Sequence, residues 1–191
     1  TFAGGSGFVG NVDATGTAAR FASSAGLVED GSGNLYVADA KNDSIRFVTS
    51  GGVVSTFAGS LAAFGSTDAV GVAAKFNNPK GVAPDLSGNV YIADTNNHTI
   101  RKIASDGTVT TIAGTPGTTG STDGAGASAL FNNPAAVAVD SAGNVYVADR
   151  GNRTVRKIVF TTSPDTVTVS TVAGSVGSNG SSDGTAGVGG T

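Results

Sequence analysis

The amino-acid sequence predicts an all-β protein built as a tandem array of β-propeller blades. Three observations predict it. A four-residue word recurs at near-constant spacing, each period holds four short apolar segments separated by turn residues, and the second segment is apolar on both faces. The word is Thr1-Phe2-Ala3-Gly4, and it returns at Thr56, Thr111 and Thr171 after 55, 55 and 60 residues. A fixed period of this length marks a repeat architecture. The longer last period falls at Val159 to Val169, which predicts a longer hairpin there.

The elements follow one another in the same order in every unit. The second unit runs Phe76 to Asp85, Leu86 to Asp94, Thr95 to Ile103 and Gly107 to Gly114. Gly, Asn and Asp stand between these segments, where a reversing chain needs positive φ or a side chain that bonds its own backbone. Four antiparallel strands per unit follow. The second strands, Leu35–Ala38, Val90–Ala93 and Val145–Ala148, carry no polar face to turn to water. A strand apolar on both faces must be covered on both sides. Four-stranded sheets stacked face to face around an axis cover them, and that is a propeller.

Composition agrees and excludes several functions. Of 191 residues 30 are glycine and 13% are charged, which suits short strands and tight turns. No apolar run approaches the roughly 20 residues of a membrane-spanning helix. A net charge of -3 with scattered basic residues predicts no nucleic-acid partner. The absence of cysteine excludes disulfides and thiolate chemistry. The chain starts at Thr1 without any methionine, so a longer translation product is expected. The Thr, Ser, Gly and Asn-rich composition predicts an extracellular or cell-surface setting.

The words Phe-x-x-Pro-x-Gly-Val-Ala-x-Asp, Gly-Asn-Val-Tyr-Val-Ala-Asp and Asn-x-x-Ile-Arg-Lys-Ile resemble the NHL repeat, including the Gly-rich connector before each Phe. The resemblance covers nearly the whole chain and implies an NHL-type β-propeller. The first unit has Ser24-Ala25 where the others have Asn-Pro, and the third has Ala136 where the second has Gly81. Neither change is expected to disturb the fold. The units divide the chain into an orphan outer strand and connector (1–20), blades at 21–59, 76–114 and 131–174, connectors at 60–75 and 115–130, and a C-terminal connector at 175–191. Closed propellers take 4 to 8 blades, so ring closure requires more than three. The unpaired ends are expected to seek partners: a second copy in a ring, copies in a head-to-tail filament, or further blades of a longer chain.

Several repeated residues invite a chemical reading. Asp30, Asp85 and Asp140 end the first strands and read as a carboxylate ring at a channel mouth or, better, as caps of Asp-x-x-Gly-Asn turns. Asp39, Asp94 and Asp149, with Arg46, Arg101 and Arg156, read as structural turn caps or blade-bridging salt bridges. The Gly-rich connectors, with Asp68, Asp123 and Asp183, lack the Lys-Ser/Thr of a phosphate loop and are under-ligated for calcium. Hydrolases on related propellers need unlike residues converging on a metal, whereas this chain has one histidine, His98, and one glutamate, Glu29. The expectation is therefore no enzyme, no catalytic or metal site and no cofactor. Asn42, Asn97, Asn152 and Asn179 each begin an Asn-x-Ser/Thr triplet, a candidate N-glycosylation site, or the incidental product of turn chemistry. Lys41, Asp43, Thr95, Asn96, His98, Arg150 and Arg153 vary at the second-to-third turn, where binding of a protein or glycan partner would be specified.

Overall fold

A computed structural model describes residues 1–60, 63–161, 166–178 and 180. Among these, the strands form three antiparallel sheets in simple up-and-down order. The first blade holds β1 (Ser24–Glu29), β2 (Leu35–Asp39), β3 (Ser44–Val48) and β4 (Val54–Ala58). The second holds β5 (Pro79–Pro84), β6 (Val90–Asp94), β7 (Thr99–Ile103) and β8 (Val109–Ala113). The short β9 (Gly124–Ala125) precedes the third blade, β10 (Pro134–Val139), β11 (Val145–Asp149), β12 (Thr154–Phe160) and β13 (Val167–Ala173). The inner strands β1, β5 and β10 pack in sequence against one another. No sheet closes on itself. The chain is an open run of propeller blades.

The turns form for local reasons. Asp85 Oδ1 accepts from the backbone N–H of Ser87 (2.8 Å) and Asn89 (2.9 Å), and Gly88 takes φ +81° to complete the reversal. Asp30 and Asp140 repeat the cap, so these carboxylates hold hairpins. After β6, a 3₁₀ turn at Thr95–Asn97 ends on His98 in the left-handed region at φ 59°. Asp43 and Arg153 occupy the same position with φ 49° and 62°.

The core lies between blades. Each sheet has a leading face, toward the preceding blade, and a trailing face, toward the next. Ala38, Ile45 and Ala58 on the trailing face of the first blade are buried with Phe76, Val82, Val90, Ile92 and Ile103 of the second. Tyr91, Ala93, Ile100 and Ala113 then meet Phe131, Val145, Val147, Ile158 and Val169 of the third. β6, covered on both sides, is buried at every residue. The middle blade thus explains the doubly apolar second strands.

Three details differ from the sequence expectations. Thr1–Gly4 pairs with none of the described strands. It has no third strand beside it to share a ladder, and Gly4 instead donates its N–H to the Gly16 carbonyl (3.0 Å), as Gly59 does to Gly71 and Gly114 to Gly126. The connectors are part of the blade that follows them. Thr15 bridges to Val53, Val70 to Thr108, and β9 pairs with β13, so each connector runs along the outer edge of the next fourth strand and shields it. Register also places Ser24 opposite Asp39 just as Pro79 stands opposite Asp94, so Ser23-Ser24, not Ser24-Ala25, replaces Asn-Pro.

Candidate functional site

The strongest concentration of charge is the same in every blade and is buried except at its connector carboxylate. In the second blade Asp94 ends β6, Asn97 lies in the 3₁₀ turn, Arg101 stands on β7 and Asp68 comes from the connector. Arg101, fully buried, donates to Asp94 (2.9 Å), to the Lys75 and Thr67 carbonyls (3.0 and 3.1 Å) and to Asp68 (2.6 Å). Its guanidinium also lies 5.1 Å from the centre of the Phe76 ring, within cation–π range. Asp94 accepts further from the Asn77 N–H (2.8 Å) and the Asn97 amide (2.7 Å). Asp68 turns its other oxygen to the Thr111 N–H on the outer strand (3.0 Å).

The first and third blades copy the arrangement. Arg46 joins Asp39 to Asp13, and Arg156 joins Asp149 to Asp123. Each Arg therefore fastens two strands of its own blade to the connector wrapping that blade. This corrects the blade-bridging expectation: the ion pairs lie within a blade, because the third-strand Arg faces the carboxylate of the connector that wraps its own blade. The sequence did contain the signal, since each connector Asp stands 33 residues before its Arg.

Electrostatics follow burial. Loss of water pushes the Asp94 carboxyl up to about 6, against the opposing pull of Arg101 and of its hydrogen-bond donors. Burial raises Asp149 in the same way. The hydrogen bonds from Asn34 and Asn144 hold Asp30 and Asp140 below the ordinary carboxylate range. Among the described residues no group of three or more His, Cys, Asp or Glu is placed to hold a metal. Asp68 and Asp123 are committed to arginines, and Asp183 lies outside the described residues.

The three described sequon asparagines are structural. Asn97 and Asn152 are buried and Asn42 is half-buried. Each amide nitrogen donates twice, to its blade's Asp and to a connector carbonyl: Gly10, Gly65 or Gly120. A glycan on that nitrogen would replace one of its two hydrogens, breaking one of these bonds and placing a sugar where the amide is packed, so the geometry opposes modification at these positions. Asn179 lies outside the described residues.

The variable turn divides into two groups. Lys41, Asn96, Arg150 and Arg153 are exposed. Asp43, Thr95 and His98 instead join neighbouring blades, because this turn lies beside the start of the inner strand of the blade that follows. Asp43 accepts from the Asn78 N–H (2.7 Å), His98 Nδ1 accepts from the Asn133 N–H (3.1 Å), and Thr95 donates to the Pro134 carbonyl (2.8 Å). Burial pushes the His98 imidazole pKa down, toward the neutral form that can accept.

What remains open is the trailing face of the third blade. The trailing rows Ala38-Ile45-Ala58 and Ala93-Ile100-Ala113 are essentially inaccessible, whereas the equivalent Ala148, Val155 and Ala173 are exposed, Val155 at 39%. Ala148 and Val155, with Ala136, Ala138 and Tyr146, border a shallow apolar groove of about 220 Å³. At the other end Leu27, on the leading face of the first blade, is 66% exposed where the equivalent Val82 is 7%.

Comparison with known proteins agrees with this architecture. A family model described as NHL repeat matches residues 76–103 and 131–158. Human NHL repeat-containing protein 2 is 36% identical over 100 residues, covering 51% of this chain and 14% of that protein. A solved auxiliary nutrient binding protein from Bacteroides ovatus is 26% identical with a TM-score of 0.60, over 70% of this chain and 36% of that one. A streptogramin B lyase, 17% identical with a TM-score of 0.51 over 73% of this chain and 38% of that one, shares the fold alone.

Proposed function

We propose, for a chain that carries NHL repeats on an open β-propeller framework, that it works as a non-catalytic scaffold module that associates with a second copy of itself, blade upon blade. The observation that carries this reading is the uncovered trailing face of the third blade. Its counterparts on the first two blades are buried by the next leading face, so the molecule itself displays the kind of surface that fits there. Exposed apolar faces of this sort mark association sites. The repeated Asp, Asn and Arg side chains hold each blade to its own connector and, among the described residues, leave no charged cluster free to act on a substrate, which supports a scaffold over an enzyme. The composition fits an extracellular or cell-surface location.

A second reading adds recognition of a partner at the turn face. Lys41, Asn96 and Arg150 are exposed and differ from blade to blade, and a relative in fold is described as a nutrient binding protein. On this reading the assembled module presents those side chains to a ligand.

The chain has no cysteine, so a single introduced thiol is unique. Leu27→Cys and Val155→Cys chains, mixed and treated with a short bis-maleimide, are expected to cross-link predominantly to each other. Absence of cross-links, or products only of like with like, would contradict a leading face meeting a trailing face.

A further inference from the structure

The two joints inside the chain are built alike, and the third blade lacks what they are built from. At the inner strand, the joints depend on glycine. A methyl group on Gly26 would run into the Lys80 carbonyl oxygen, and one on Gly81 would lie 2.6 Å from the Ala136 Cα and 2.8 Å from the Val137 nitrogen. These are backbone atoms, which a flexible neighbour cannot clear. In the third blade the same register position is Ala136, which already carries that methyl and is exposed. A following blade seated at the spacing of the internal joints would collide with it.

The turn departs as well. The left-handed residues Asp43 and His98 accept the N–H of the next blade's asparagine, whereas the third blade offers Arg153, which has only donors. An N–H arriving there would meet another donor.

The leading face of the first blade departs in the matching sense. At the Asn78 and Asn133 position it has Ser23, with φ 77°, and at the Pro79 and Pro134 position it has Ser24. Both are exposed hydroxyls able to accept from a guanidinium. The apolar sizes also exchange. The internal joints bring Ile45 into one cluster with Val82, and Ile100 into one with Val137. At the open ends the same two positions are Val155 and Leu27. Ile with Val and Val with Leu contain the same number of side-chain carbons. The longer Leu27 therefore suits a joint held wider by Ala136.

We propose that the trailing face of the third blade is a seam that receives the first blade of a second copy, through a joint wider at the inner strand than the internal ones, with Arg153 donating to Ser23 or Ser24 and Leu27 packing on Val155. Two copies joined in this way at both ends make six blades, within the 4 to 8 that close a ring. The seam rests on the reading that blade ends associate, and it sets where a ring opens and closes.

The test is a double-substitution cycle on association, measured by sedimentation equilibrium of the full chain. Leu27→Val, which removes one methylene, and Val155→Ile, which overfills the joint by one, each weaken association by about fourfold or more. The doubly substituted chain returns to within about threefold of the original. Losses that simply add overturn the Leu27 to Val155 contact. The repeat-restoring chain, Ala136→Gly with Arg153→His, is expected not to associate more tightly, and tighter association would show that the end docks like an internal joint. An original chain that stays monomeric overturns the association reading itself, which is a different result from either of these. A cooperative unfolding transition in dilute solution verifies that each variant is folded.

Discussion

Arg101→Met lowers the unfolding free energy by about 3 to 5 kcal/mol, the cost of breaking a buried ion pair by removing one partner. The middle blade shows why the loss is large. Arg101 is fully buried and holds together Asp94, two connector carbonyls and Asp68, and it lies against Phe76. Methionine fills much of the volume but leaves the Asp94 carboxylate buried without its cation. Asp68, which joins the connector to the outer strand at Thr111, loses its inner anchor at the same time. Lys41→Met, at an exposed turn, is the control and costs within about 0.5 kcal/mol. Urea titrations followed by far-ultraviolet circular dichroism read both. Equal transitions for the two variants would show that the cluster does not hold the blade.

Gly81→Ala has the second large effect, because it places a methyl group against backbone instead of against a mobile side chain. The new Cβ lies 2.6 Å from the Ala136 Cα, so the second and third blades must separate or tilt. Overpacking of this kind costs about 1 to 3 kcal/mol and loosens the shared core around Ile100, Val145 and Ile158. The reverse change one blade later is the informative contrast. Ala136→Gly sits on an uncovered face and costs about 0.5 to 1 kcal/mol, the entropy of an added glycine in a strand. Thermal unfolding of the pair of variants measures the difference. Comparable losses would mean that the inner-strand contact between blades is not close.

Much of the fold was legible because it is local and repeated. The strands follow from apolar segments between turn residues, and the Asp-x-x-Gly-Asn hairpin needs only a carboxylate within reach of two amides, as Asp85 shows. The stacking of sheets followed from the doubly apolar second strands. Less was legible at the joints. Asp43, Thr95 and His98 look like ordinary turn residues until the next blade is in place, and only then do their bonds across the joint form. The sequon asparagines stayed open between two readings for a related reason. A triplet reports a glycosylation signal but not that Asn97 spends its amide on Asp94 and the Gly65 carbonyl. The connector carboxylates were underweighted because their partners are 33 residues away, although that interval is constant.

The exchange of Gly for Ala136 is the most instructive case. In sequence it is a minor change at a strand edge, and within its own blade it remains so. Its meaning depends on the neighbour: at Gly81 the space is already filled by the next backbone, whereas at Ala136 it is open. A departure from a repeat is harmless or decisive according to whether that face is an internal joint or an end.

The mass of the chain in solution tests the central claim most directly. Light scattering across a concentration series is expected to give multiples of 18.4 kDa, with a mass of two chains where a six-bladed ring closes. A constant mass of one chain at every concentration would contradict the account, because the apolar face at Ala148, Val155 and Ala173 would then rest in water without a second copy to cover it.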